Sequence, residues 1–470
     1  MNKRNPWAWV PTLYFAEGVP YVAVMTISVI IYKRLGLSNT DITLYTSWLY
    51  LPWVIKPLWS PFVDMLRTKR WWILGMQVLI AAALAGVAFT IPGPFWLQGS
   101  LSFFWLLAFS SATHDIAADG FYMLGLEQHE QAYFVGIRST FYRIATIFSS
   151  GLLVGLAGVL QVLTRSISYA WSLVFYLIAG LFIALWLYHS WALPRPSEDT
   201  HRIQKTAADI ITEFWNTLVT FFRKPQVWVG ICFMLFYRMP EGLLAKVSAL
   251  FLVDKMANGG LGLSDVEFGM VQGTVGVIGL TLGGILGGIA ASRDGLKRWL
   301  WPMVMAITIP DLVYVYLSCA LPSSLLVINI CIFLEQFGYG FGFSAYMLYL
   351  IYYSQGEHKT AHYALCTAFM ALSMMIPGLF AGALQEAVGY QAFFLIVVGC
   401  CAMTYIVSAL LKIDPEFGKK KENASALSFF IFRLRLGKPH PLLYSAECAS
   451  KAARCALPRC YHQSPNGVRW

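Results

Sequence analysis

Charge is what this sequence has least of: Asp, Glu, Lys and Arg make up 12% of its 470 residues, against about 25% in a soluble globular protein. A chain so poor in ionised groups cannot cover itself with a solvated surface, which excludes an ordinary soluble domain. Its nine cysteines show no metal-ligand spacing. Cys232, Cys319, Cys331, Cys366, Cys400 and Cys401 fall in apolar stretches and Cys448, Cys455 and Cys460 near the end, so neither a disulfide framework nor a structural metal is expected. There is no H-E-x-x-H, no G-x-S-x-G and no His-Cys cluster. Without a nucleophile–base set or a metal centre, the chain reads as a non-enzyme that needs no cofactor.

What is there is apolar: 58% of residues are hydrophobic and 16% aromatic. A helix needs about 20 apolar residues to cross hydrocarbon. Runs near 7–32, 43–63, 71–91, 95–124, 132–160 and 169–191 meet that need, and six more follow near 226–253, 266–291, 299–320, 323–353, 361–384 and 387–411. The expected fold is an all-α membrane protein of twelve transmembrane helices in two six-helix bundles. Residues 1–193 form the first bundle, 194–225 a cytoplasmic central loop, 226–411 the second bundle and 412–470 a disordered cytoplasmic tail.

The formal net charge is +10, but its distribution excludes a nucleic-acid surface. With the N-terminus inside, the cytoplasmic segments up to Lys421 hold 18 Lys and Arg residues and the outer loops hold 4, which is the asymmetry that orients membrane proteins. Both termini are then cytoplasmic. The first run is too long for a cleaved leader and carries Glu17, so it is expected to stay as a helix.

The two halves repeat. Ser60-Pro-Phe-Val-Asp64-Met-Leu-Arg67-Thr-Lys69-Arg70 follows the second run, and Gly288-Ile-Ala-Ala-Ser292-Arg293-Asp294-Gly295-Leu-Lys297-Arg298 follows the eighth. Both resemble the gating loop G-x-x-x-D-[RK]-x-G-[RK]-[RK] of the major facilitator superfamily, with Ser60 in place of Gly, Met65 in place of a base and Ser292 in place of Asp. By that resemblance Asp64, Arg67, Arg70, Arg293 and Arg298 latch neighbouring helices in one gate state. Glu17-Gly18-Val-Pro20 and Pro240-Glu241-Gly242 lie at matching places in the first and seventh runs. Such repeats put a binding site at the interface of two rocking halves. Glycines at every fourth residue, among them Gly151 with Gly155, Gly279 with Gly283 and Gly287, and Gly378 with Gly382, predict close helix packing.

Charged residues at lipid depth are expensive and mark functional paths. Asp115 and Asp119 stand four apart on one helix face. Counting from a turn near His129 sets Asp115 level with Arg143 and Asp119 level with Arg138, giving pairs that either hold two helices together or exchange a proton. Asp115, the deeper acid, is the preferred coupling residue. Glu17 and Glu241 are expected near the midplane, the latter in a salt bridge with Arg238 or as a substrate anchor. Glu335, among glycines, is expected to face a cavity. Asp311 is expected to cap a kinked helix, and Lys56 and Lys246 to snorkel outward. Tyr14, Tyr142 and Tyr339 suit sugar faces or the core equally.

With these residues in hand, the chain resembles the AmpG-type muropeptide permeases of the major facilitator superfamily, which stand beside the acetyl-CoA transporters. The likeness rests on Phe15-Ala-Glu17-Gly18-Val-Pro20, Ser111-Ala-Thr-His114-Asp115-Ile-Ala-Ala-Asp119, Tyr142-Arg143 and Glu335-Gln-Phe, with His114 where the family carries Gln. The resemblance implies a monomeric, proton-coupled symporter of the bacterial inner membrane that imports anhydromuropeptides. Glu17, Asp115, Asp119 and Glu335 would serve the proton, and Arg138, Arg143, Arg238, Glu241 and the tyrosines the solute. A carrier of another anionic solute, such as acetyl-CoA, another sugar conjugate or a drug, stays open, as does a non-transporting receptor.

Overall fold

The computed structural model describes residues 4–126, 128–196, 199, 207–356 and 359–417. The expected tail beyond residue 417 and the side chain of Asp64 lie outside the described residues. Among the described residues nine helical segments are long and apolar enough to cross a membrane: Pro6–Arg34, Lys69–Thr90, Ile137–Thr164, Ile167–Ala192, Val227–Val253, Asp265–Asp294, Leu296–Ala320, Leu325–Ser354 and Ala361–Ala409. The last is broken at Gly389, whose φ of 77° is not helical, and so supplies two of the expected spans. Two further expected spans are helical but less apolar: Asn39–Trp48 continuing as Leu51–Leu66, and Trp96–Gly125. The expected runs are largely helical, with turns at Leu49–Tyr50 and Tyr237–Arg238.

Small residues set the distance between helices. Gly18 lies where an added Cβ would meet Ala145 at 2.7 Å, and Gly242 where one would meet the Ser373 carbonyl at 2.7 Å. The repeated Glu-Gly motif thus brings its helix onto a partner in each half. Gly279, Gly283 and Gly287 lie against the backbone of Phe333, Phe337 and Phe341, and Gly382 lies against Asn39. Turns of π-helix interrupt three spans, at Ala23–Ile27, Ile147–Leu153 and Val271–Gly276. The latter two cross where Gly273 comes so close to the Ser150 backbone that there is no room for a Cβ.

The stretch expected to be a loop at 194–225 holds a helix, Ala207–Phe222. Its 16 residues are amphipathic rather than uniformly apolar, so no run announces it. Phe221 is fully buried and stacks on Phe369. Lys224 donates to the carbonyls of Tyr353 and Gln355 at 2.5 and 2.8 Å, satisfying the free carbonyls where Leu325–Ser354 ends.

The halves close on each other at the end of the molecule that carries Lys33. Lys33 Nζ lies 2.8 Å from Asp254 and Arg34 Nε 2.6 Å from Asp265. Arg34 also donates to the Leu263 carbonyl at 2.7 Å, Gln161 to Asp265 at 2.5 Å, and Asn39 to Gln385 at 2.6 Å.

Two outcomes test this packing. Gly283→Ala would drive a methyl group into the Phe337 carbonyl, so a destabilisation of about 1–3 kcal/mol is expected in detergent melting. Gly155→Ala, with nothing within 4 Å, should be silent. Burial works to raise the Asp254 carboxyl, but the Lys33 ammonium and hydrogen bonds from Asn258 and Tyr390 outweigh it and hold Asp254 below the usual aspartate range. A carboxyl held low stabilises the fold above its unfolded value and loses that contribution as pH falls through the lowered one. Asp254→Asn should therefore melt below the parent at pH 7, with the gap closing below about pH 4. A gap that stays constant would remove this ion pair from the closure.

Candidate functional site

Away from that closure lies a cavity of about 1240 Å³, larger than the roughly 300–1,000 Å³ of a small-molecule pocket. Arg67, Lys69, Asp199 and Lys359 line its mouth, and Met25, Tyr50 and Lys246 its far end. It opens on the face of the Lys/Arg-rich loops, opposite the Lys33–Asp254 closure. Seven lining residues are Lys or Arg and three are Asp, so the walls favour an anion. Six are Tyr or Trp, which offer flat faces with polar tips.

The Trp96–Gly125 helix carries Asp115 and Asp119 into this cavity. Carboxylate oxygens of Glu17, Asp115 and Asp119 all lie within 4.8 Å of one another. Two bases meet the three acids. Lys56 Nζ lies 2.5 Å from Asp115 and Arg138 Nη2 3.2 Å from Asp119, while Tyr14 donates to Asp119 at 3.0 Å. The Arg138 guanidinium lies 4.6 Å from the centre of the Tyr14 ring and 5.1 Å from that of Tyr122. Glu17 Oε2 is sealed from solvent without a hydrogen-bond partner among the described residues. Three carboxylates and two cations leave the cluster with a formal charge of −1. The three oxygens have the spacing of a metal site, but Lys56 and Arg138 already occupy two of the acids, so the donor set fits a proton better than a divalent ion.

Spacing along the hairpin paired Asp115 with Arg143, and the structure corrects this. Asp115 and Asp119, four residues apart, point about 40° from each other around their helix, whereas Arg138 and Arg143, five apart, point about 140° from each other. Two neighbouring acids cannot both meet bases so divergent. Among the described residues no ion pair reaches Arg143, and Lys56 takes its place rather than snorkelling. Tyr142 and Tyr21 lie with ring centres 6.4 Å apart, and of the two only Tyr21 lines the cavity. His114 faces away from the acids, sealed among helices with Gln77 at 3.2 Å. Gln77 in turn reaches His189 at 2.8 Å.

In the second half Arg238 and Lys246 find no acid among the described residues. Arg238 is buried, donates to the Tyr339 hydroxyl and lies 4.7 Å from the centre of the Phe343 ring. The expected local salt bridge to Glu241 is absent among the described residues. Lys246 is buried at the far end of the cavity, where no snorkelling takes it to an interface. Its sequence signal was the lack of any Asp or Glu three or four residues to either side.

The acids of this half stand apart from the main cavity. Glu241 and Asp311 line a separate void of about 10 Å³, and Asp311 accepts from Cys401 at 3.4 Å while making no capping bond to the helix it precedes. Glu335 is 2% exposed, held by Gln336 at 2.9 Å and Tyr314 at 3.3 Å, not in the cavity where it was expected. The glycines after it do not open space: Gly338 and Gly342 abut the backbones of Ala306 and Met303.

Among the gating-loop residues, Arg67 lines the mouth. Arg70 donates to the Ser190 carbonyl at 2.5 Å and its backbone N–H to Asp199 at 3.1 Å. Arg298 reaches Asp294, at 3.5 Å on its own turn, and Arg293 is exposed.

Known proteins align with this arrangement. The BT1 family model matches residues 17–290 and the Major Facilitator Superfamily model residues 246–450. The anhydromuropeptide permease of Escherichia coli K12 is 25% identical over 423 residues, covering 87% of this chain and 80% of the permease. A transporter designated AmpG 4 of Rickettsia conorii is 24% identical over 402 residues, covering 82% and 91%. Solved structures of the nucleoside transporter NupG (TM-score 0.65, 16% identity, 88% of this chain and 100% of that one) and a D-xylose-proton symporter (0.63, 14%, 88% and 98%) share the fold. By this match and this architecture, the chain belongs to the BT1 family and is an AmpG-like permease of the major facilitator superfamily.

Proposed function

We propose that the protein is a symporter of the bacterial inner membrane that carries anhydromuropeptides from periplasm to cytoplasm with a proton, for cell-wall recycling. The charge count of the first-half cluster carries this reading. Three carboxylates share two bases beside the cavity, so one proton brings the group to neutrality. An uncompensated charge in a low-dielectric site is costly to leave in place while the surrounding halves move. The size of the cavity suits a disaccharide peptide, its tyrosines suit sugar rings, and Arg238 suits an acid of a stem peptide. The names of the aligned permeases agree with that solute class.

In this reading the halves, residues 1–193 and 226–411, rock about their interface with both termini in the cytoplasm. The Lys/Arg-rich face is cytoplasmic, so the cavity opens inward here, and Lys33–Asp254 and Arg34–Asp265 hold the periplasmic side shut. Opening outward breaks both pairs. Asp115 exchanges the proton, because it lines the cavity and its neighbours Glu17 and Asp119 share its charge. A second reading, carriage of another large anion such as acetyl-CoA, draws on the same excess of bases. A receptor that binds without carrying is separated from both by accumulation.

Proteoliposomes with an imposed proton gradient should accumulate labelled GlcNAc–anhydroMurNAc tripeptide, with acetyl-CoA and free sugars as weak competitors, and a protonophore should abolish accumulation. No uptake would remove the muropeptide reading, and uptake that survives the protonophore would remove the coupling. Asp115→Asn is expected to reduce accumulation to the level seen without a gradient while solute exchange across the membrane persists. If that variant keeps pH-dependent accumulation, the coupling residue is another acid.

A further inference from the structure

Lys246 sits at the far end of the cavity, 4% exposed, with no carboxylate in ion-pair distance among the described residues. Its ammonium donates to two backbone carbonyls, of Met25 at 3.3 Å and Thr46 at 3.4 Å, and lies 5.4 Å from the centre of the Tyr50 ring. Charge-assisted bonds of full strength run about 2.7–2.9 Å, so both are long. Lys33 and Lys56, by contrast, have carboxylates at 2.8 and 2.5 Å. A buried cation with weak neutral partners is strongly unfavourable unless something else neutralises it.

Arg238 repeats the pattern eight residues earlier, with a phenol and aromatic faces as its partners. From Met239 the chain is helical through Lys246, which puts the two backbones about 12 Å apart along one helix and on adjoining faces. Both side chains line the same cavity. Two unneutralised cations at that separation match a solute with two acidic groups, one near the middle of the cavity and one at its end.

The position of Lys246 adds a second reason. Met25 lies in the π-turn Ala23–Ile27, a kind of irregularity that is frequent at functional sites. Both carbonyls belong to the first half while Lys246 belongs to the second. An acid group that takes the ammonium from these two long bonds therefore acts where the halves meet and where the cavity gives way to the closure.

We propose that Lys246 is a substrate-binding residue that receives an acidic group at the closed end of the cavity, with Arg238 as the second anion subsite, so that the carrier selects solutes with two acids. This rests on the anionic-solute reading above and deepens it.

The test is isothermal titration of the purified full chain in detergent with three probes: GlcNAc–anhydroMurNAc tripeptide, the same compound with its peptide carboxyls amidated, and acetyl-CoA. Lys246→Met should weaken the free-acid tripeptide by at least about tenfold. Lys246→Arg should retain most of the affinity, and the amidated compound should bind parent and Lys246→Met alike. Melting of Lys246→Met at or above the parent temperature is expected, since an apolar side chain replaces a poorly partnered charge. Equal binding of the free acid by parent and Lys246→Met, or an equal loss of the amidated compound, would overturn the proposal. If the parent binds acetyl-CoA and not the tripeptide, and Lys246→Met loses it, the muropeptide reading falls and the Lys246 subsite stands. If the parent binds none of the three, both fall.

Discussion

A charge that cannot reach water must find a partner, and the arrangement of this molecule follows from how that demand is met. At the closed end it is met across the two halves, where Lys33 and Arg34 of the first half meet Asp254 and Asp265 of the second. In the cavity it is met within one half, where Lys56 and Arg138 answer Asp115 and Asp119. The first arrangement ties the halves together on one face. The second leaves them free of each other around the cavity, so the same requirement both shuts one face and permits the other to open. Hydrophobic burial does not make this distinction, because helices in lipid gain little from hiding apolar side chains from lipid tails.

Shape complementarity supplies what charge does not. Glycine brings backbones together at the crossings between halves, Gly273 on Ser150 and Gly382 on Asn39. Contacts of backbone on backbone carry little side-chain entropy and few interlocking knobs. They suit surfaces that must slide while staying dry. Within the second half the same device is used rigidly, with Gly283 and Gly340 set into the facing backbones of Phe337 and Leu280, which binds two long helices into one body.

The membrane class, the helical runs and the close helix packing were legible in the sequence because each rests on a local pattern: long apolar runs, and glycines spaced by four. The pairing of Asp119 with Arg138 was legible too, since a hairpin keeps levels matched. Facing was not. The divergence of Arg138 and Arg143 around one helix is decided by geometry that level-counting ignores, and Lys56 reaches Asp115 from 59 residues away. The helix Ala207–Phe222 was missed because its apolar residues occupy one side only. Glu335 was misplaced because the glycines beside it serve helix packing, a role that reads the same in sequence as open space.

The two halves divide the chemistry between them. Acids with too few bases stand on the first half, beside the cavity, and bases with no acids stand on the facing helix of the second. In the proposed cycle a solute anion drawn to Arg238 and Lys246 lies near the Glu17–Asp115–Asp119 group. Like charges in such a low-dielectric space repel one another, a penalty that one added proton removes. Anion and proton therefore favour each other's binding by the same factor, because coupling free energies are reciprocal. Symport in this fold then needs no direct contact between proton and solute. It follows from placing an acid-rich wall and a base-rich wall on opposite sides of one low-dielectric space, where the proton neutralises one wall and the anion the other.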